Sequence, residues 1–118
     1  MAKFLKSEEI EWKQPAPGIN SKIANGKNAT MMYVHLEKGT TMKVHNHPEE
    51  QLGYIIEGKL EFIVGPNHEP QIVDTGMFYY FSSNELHGVR NTIEKTVLMD
   101  VFGPVRQDYL HLAVSLAD

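Results

Sequence analysis

A small all-β fold is what this sequence predicts: an antiparallel double-sheet jelly roll or barrel, closed as a single domain. Three observations carry that expectation. Short apolar stretches recur between turn signals along most of the chain. No long helical pattern occurs before roughly the last dozen residues. The length, 118 residues, suffices for one sizeable core but not two.

The first 28 residues, with "QPAPGIN" inside them, read as an irregular lead-in with room for one strand, and the barrel is expected over 29–118. "ATMMYVHLEKGTT" alternates, so that Met32, Val34 and Leu36 face one way before a turn at Gly39. "QLGYIIEGKLEFIVG" reads as two strands joined around Glu57-Gly58-Lys59, with Leu60, Phe62 and Val64 sharing a face. "GPNHEP" is a loop by composition. "QIVDTGMFYYFSS" gives a short strand, a turn at Asp74-Thr75-Gly76 and an aromatic strand, and "LHGVRN" and "KTVLMDVFG" supply two more. The tail "RQDYLHLAVSLAD" suits either a terminal helix or a strand. A barrel this short leaves edge strands that commonly pair with a second subunit, so a homodimer is expected.

Composition narrows the function. A formal charge of -4 and a pI near 5.8 argue against general affinity for nucleic acid or anionic membranes. The absence of cysteine removes disulfides, thiolate ligands and cysteine nucleophiles together, and fits a reducing cytoplasm. The N-terminal "MAKFLKSEEIEW" lacks the apolar core of a secretion signal, and no apolar run approaches a membrane span. A soluble cytoplasmic protein is the expectation.

"HNHPEEQ", His45 to Gln51, is where chemistry concentrates. Residues i and i+2 of a strand point to the same face, so His45 and His47 can converge on one point while Asn46 turns away. Pro48 ends the strand, and Gln51 can re-enter the sheet with its carbonyl oxygen aimed at the same point. His87 is the best candidate for a fourth ligand from another strand. Three neutral imidazoles and an amide oxygen would hold a divalent ion without cancelling its charge, preserving its Lewis acidity. Zinc, iron, nickel, copper and manganese all suit such a set. Alone, an HxH pair in a polar loop is more often surface histidine than a ligand pair. His35, His68 and His111 are most simply surface or packing residues, and Glu49 and Glu50 solvated turn residues.

"GTTMKVHNHPEEQLGYIIEG", Gly39 to Gly58, resembles the first motif of the cupin superfamily. Five residues separate Gly39 from His45, three separate His47 from Gln51 and six separate Gln51 from Gly58, with Gln51 where the motif usually has glutamate. "GMFYYFSSNELHGVRN" looks like the second motif, with His87 and Asn91 in register and Ser82 and Asn84 replacing its usual proline and second glycine. The resemblance implies a cupin-type double-stranded β-helix and one divalent transition metal ion held by His45, His47, Gln51 and His87. Gln51 leaves the metal's identity and redox chemistry open.

A second stretch, "VLMDVFGPVRQDYL", places Leu98, Asp100 and Phe102 on one face of a strand. Aspartate is rare in an apolar strand unless paired or functional. Arg106 follows the Gly103-Pro104 turn, and the plain alternative is an Asp100–Arg106 ion pair closing the barrel end. The functional reading makes Asp100 a base or proton shuttle, Phe102 an aromatic wall and Arg106 a bidentate carboxylate clamp. "DVFGPVR" is similar to the D-x-F-x-P-x-R segment of short cupins of the KdgF type, the pectin and alginate degradation proteins. That resemblance implies a small anionic substrate, a 4,5-unsaturated uronate converted from its cyclic to a linear keto form. Asp100 would then be catalytic, with Phe102 and Arg106 binding substrate.

Tyr33, Met42, Tyr54 and Phe78 to Phe81 could line the lumen, although core or dimer packing is the preferred expectation for most of them. Arg90 is a weaker anion-binding candidate. Two rival classes share the pocket: a cupin dioxygenase, supported by iron or copper with oxygen uptake, and a non-catalytic metabolite-binding cupin, supported by binding that survives loss of Asp100.

Overall fold

The computed structural model describes residues 1–117, so Asp118, the last residue of the expected barrel domain, lies outside them. Strands dominate the described chain: β1 (Lys13–Ala16), β2 (Ile19–Asn25), β3 (Thr30–Leu36), β4 (Met42–His45), β5 (Glu50–Val64), β6 (Glu69–Asp74), β7 (Phe78–Phe81), β8 (His87–Gly103) and β9 (Val114–Ser115). Pairing is antiparallel throughout, except where β9 runs parallel to β2.

Two long strands organise the whole. β5 and β8 pair along almost their full lengths, from Glu50↔Gly103 to Val64↔His87. At one end β8 continues through β3 and β2 to β1, while β5 takes β7 on its other side. At the other end β8 pairs with β4 and β5 with β6. The sheet therefore folds over into two layers, with β5 and β8 belonging to both.

Where the sequence suggests two strands around Gly58, and two more in "LHGVRN" and "KTVLMDVFG", the chain forms one bent strand in each case. Register irregularities between Ile55 and Leu60 absorb the bend without breaking the ladder. Gly58 takes φ +117°, and a Cβ there would press into Thr96 and the Lys95 carbonyl. Lys59 N–H instead donates to Thr96 Oγ1 at 3.1 Å, pinning the two bends together.

Alternation decides what is buried. Met32, Val34 and Leu36 on β3 meet Leu98 and Phe102 on β8 and Leu60 and Phe62 on β5 in one apolar cluster. The lead-in holds two strands rather than one, because Ile19, Ser21 and Ile23 alternate inward against β3. The tail forms a 3-10 turn, Gln107–Tyr109, followed by the short β9. Among the described residues no helix is long and apolar enough to cross a membrane.

Candidate active site

The histidines come from three places that the two-layer fold makes adjacent. His45 ends β4 and pairs directly with His87 at the start of β8. His47 follows in the connection to β5 and is buried. Asn84 N–H donates to the His47 carbonyl at 2.8 Å, fastening that connection to the β7–β8 turn. Asn84, standing where the second motif usually has glycine, adopts a left-handed φ of 63°, which asparagine tolerates better than most residues.

One nitrogen from each of the three rings lies within 4.8 Å of the others. The orientation of the rings is fixed from behind. His45 Nδ1 donates to the Lys43 carbonyl at 2.8 Å, His47 Nδ1 to the Glu49 carbonyl at 2.9 Å, and His87 Nδ1 to the Glu85 carbonyl at 2.8 Å. A carbonyl only accepts, so each Nδ1 carries a proton, and in the neutral ring it is Nε2 that keeps the free lone pair. Such an arrangement fits a divalent metal, whose histidine ligands usually donate the other ring N–H to a carbonyl or carboxylate. Burial, aided by the Arg106 charge, lowers the pKa of His47, and burial lowers that of His87 to about 4. Both rings therefore stay neutral at physiological pH. Phe81 stacks on His87 with ring centroids 4.3 Å apart.

A cavity opens beside the cluster, lined by His45, Gln51, His87, Asp100, Phe102 and Arg106. Six of the seven site residues legible in the sequence thus share one wall, and His47 completes the histidine group. Among the described residues, three buried polar side-chain atoms lack a hydrogen-bond partner: Ser21 Oγ, His47 Nε2 and Arg106 Nε. Buried polar atoms are normally satisfied. Two of these three exceptions belong to this site.

Asp100 is held by neutral donors, the hydroxyl of Tyr79 and the side-chain amide of Gln51. Burial raises its pKa to about 6, and the two hydrogen bonds and the Arg106 charge only partly offset that rise. Tyr79 reaches Asp100 across β5, where both residues stand opposite Gly53. A Cβ at Gly53 would fall on the Tyr79 ring. We expect Gly53→Ala to displace that ring and cost about 1–3 kcal/mol of stability through overpacking, without disturbing the histidine cluster. Chemical denaturation of the purified variant against the parent checks this.

The alternative of an Asp100–Arg106 ion pair closing the barrel end is not what the described residues form. Arg106 instead lies between the rings of Phe102 and Tyr109, 4.9 and 4.5 Å from their centroids. Its backbone N–H donates to Thr30 Oγ1 at 2.8 Å, and that hydroxyl donates to Asn25 Oδ1 at 2.7 Å. Its guanidinium pairs with Glu49 at 3.5 Å and with the exposed Asp108 at 3.5 Å. Glu49 is therefore no solvated turn residue. At 3 % exposure it is buried, because an uncompensated guanidinium in the interior demands a counter-charge.

Sequence reasoning also missed the roles of Tyr79 and Tyr109. An inward Tyr79 facing a glycine on the next strand was the available signal, but it needs the register, which the sequence does not display. Met42 lines the cavity, whereas Phe78 and Tyr80 lie exposed on the outer face. Arg90 is exposed and sits 3.7 Å from Glu61, a surface strand charge. Asn91 is likewise exposed. His35 packs between Trp12 and Tyr33 on the outer face, with ring centroids 4.7 and 5.1 Å away.

A histidine trio at the join of two layers of a bent-strand jelly roll defines a cupin centre, and the chain belongs to the cupin domain family, whose profile matches residues 32–102. Within that family it is similar to the pectin degradation protein KdgF of Dickeya dadantii (strain 3937), with 34% identity over 93% of this chain and 100% of that protein. Among solved structures, KdgF from Halomonas sp. superposes with a TM-score of 0.82 at 26% identity, covering 93% of this chain and 100% of the other. An RmlC-like cupin from Shewanella frigidimarina NCIMB 400 shares the fold with a TM-score of 0.78 at 23% identity, covering 91% and 95% of the two chains.

Proposed function

We propose that the chain is a metal-dependent, non-redox enzyme that opens a cyclic 4,5-unsaturated uronate and carries it to the linear keto form. The observation that supports this reading best is that one cavity brings the buried Asp100 carboxyl and the Arg106 guanidinium together beside the histidine cluster. Similarity to a pectin degradation protein points to the same substrate class.

The reaction is an isomerisation, so protons balance within the substrate. The anomeric hydroxyl loses its proton, the bond from C1 to the ring oxygen breaks, and C4 gains a proton as the oxygen on C5 becomes a carbonyl. Arg106 binds the substrate carboxylate with its free donors, and Phe102 forms the wall against the sugar ring. Asp100, with a pKa near neutrality in its buried setting, takes up and returns the proton. Tyr79 and Gln51 hold that carboxyl in place. His45, His47 and His87, with Gln51, would hold a divalent zinc, nickel, manganese, iron or copper ion. When bound, it supplies Lewis acidity toward a substrate oxygen.

The test is an NMR time course on fresh unsaturated galacturonate or mannuronate, following the vinyl proton with and without divalent metal. Metal-dependent acceleration of its loss is expected. A loaded protein that leaves the decay at its spontaneous rate sinks the proposal.

A cytoplasmic homodimer completes the reading. Leu52 and Tyr54 on β5 stand opposite Tyr80 and Phe78 on the edge strand β7, and all four are exposed, Phe78 by 79%. Such a contiguous apolar face favours a second copy of the chain. Phe78→Glu should convert the species seen by analytical ultracentrifugation from dimer to monomer. A parent protein that sediments as a monomer excludes the dimer.

A further inference from the structure

We propose that Glu49 is a positioning residue that joins the two halves of the site, holding the Arg106 guanidinium at the cavity wall and supporting His47 from behind. One oxygen carries both contacts: Glu49 Oε1 lies 3.5 Å from Arg106 Nε and 3.5 Å from His47 Nδ1. The backbone of the same residue contributes a third tie, since its carbonyl accepts His47 Nδ1–H at 2.9 Å. All three side chains are almost wholly buried, Glu49 and His47 at 3% exposure and Arg106 at 6%. Water screens little there, so the carboxylate acts at close to full strength on both neighbours.

The partners of the two buried carboxyls are segregated. Asp100 takes the neutral donors Tyr79 and Gln51, while Glu49 takes the guanidinium. Arg106 Nε lacks any hydrogen bond, although Glu49 stands beside it. Packed against two rings, and paired through Nε with Glu49 and through Nη2 with Asp108, the guanidinium is held in place at the cavity wall. Toward His47 the same charge stabilises an imidazole whose Nδ1–H is already committed, which strengthens Nε2 as a donor to a metal. The inference rests on the anion-binding and metal-binding halves of the proposed function and not on the identity of the substrate.

Both effects are readable without any turnover assay. The chain has two arginines, Arg90 and Arg106, and Arg90 is largely exposed, so a nitrogen-15 spectrum of arginine Nε–H groups isolates Arg106. In the parent protein the Arg106 Nε–H should exchange slowly with solvent. Glu49→Gln is expected to speed that exchange at least about tenfold and to weaken zinc binding, measured by competition with a chelating dye, by about 10–100-fold. Arg106→Lys should leave zinc affinity within about threefold of the parent. Should Glu49→Gln not fold, Glu49→Asp, which retracts the charge by one methylene, carries the test with intermediate values on both readouts. Unchanged exchange or unchanged zinc affinity in a folded Glu49 variant overturns the proposal and leaves an ordinary structural ion pair. A protein that passes both readouts yet leaves unsaturated uronate untouched loses the substrate reading only.

Discussion

Asp100→Asn should abolish most of the activity while making the metal-free protein more stable. The amide is the same size as the carboxyl and its oxygen can still accept from Tyr79, so the cavity keeps its shape. What it loses is the capacity to take up and return a proton, and general acid–base groups contribute about 10²–10⁴-fold to rate. Turnover of unsaturated uronate should fall by that factor with little change in KM.

The stability effect follows from the same burial. In the unfolded chain Asp100 titrates at its ordinary 3.8, and in the fold at about 6. A raised carboxyl pKa means that stability is fully present below the unfolded value and is lost as pH rises through the folded one. At pH 7 the ionised group therefore costs the fold about 3 kcal/mol, a shift of roughly two units at 1.36 kcal/mol each. Asp100→Asn removes that cost. Its Tm, measured in EDTA, should exceed the parent's at pH 7 and converge with it below about pH 4. A variant no more stable at pH 7 than at pH 4, relative to the parent, contradicts the buried-carboxyl account. Such an exchange of stability for activity is common where a site requires a strained group.

His47→Ala carries the second largest effect. His47 is one of the two buried rings, its Nε2 is buried without a partner, and its Nδ1 is committed to the Glu49 carbonyl. Outer contacts of a metal site cost about 10–100-fold in affinity when lost, so removing a ligand outright should cost more than about 100-fold. Zinc at one hundred times its Kd stabilises a protein by about 2.7 kcal/mol, so the parent should show a clear rise in Tm on zinc addition. The variant should show none at the same concentration. A zinc-dependent shift of equal size in parent and variant would place the metal elsewhere.

How much of this was legible in the sequence depended on the range of the interaction. The inward faces of β3 and β8 could be read from period-two alternation, because Met32, Val34 and Leu36, like Leu98, Asp100 and Phe102, declare their side by spacing alone. The convergence of His45, His47 and His87 could be read because strand alternation and motif spacing are both visible in the chain. The continuity of β5 and β8 could not. Gly58 looks like a turn until Thr96 is known to pack against it. Glu49 failed for the same reason: beside a proline it reads as surface, and only Arg106, far along the chain, makes its burial favourable. The link from Tyr79 to Asp100 needs two strand registers at once.

The bend of β8 separates the protein's dependencies along a single strand. In the proposed enzyme its first residue, His87, would serve the ion, and its far end, with Asp100 and Phe102 leading to Arg106, would serve the substrate. Substitutions after the bend can therefore redirect what enters the cavity while the imidazoles before it stay as they are. A lineage built on this strand can change substrates by small steps without passing through a form that has lost its metal.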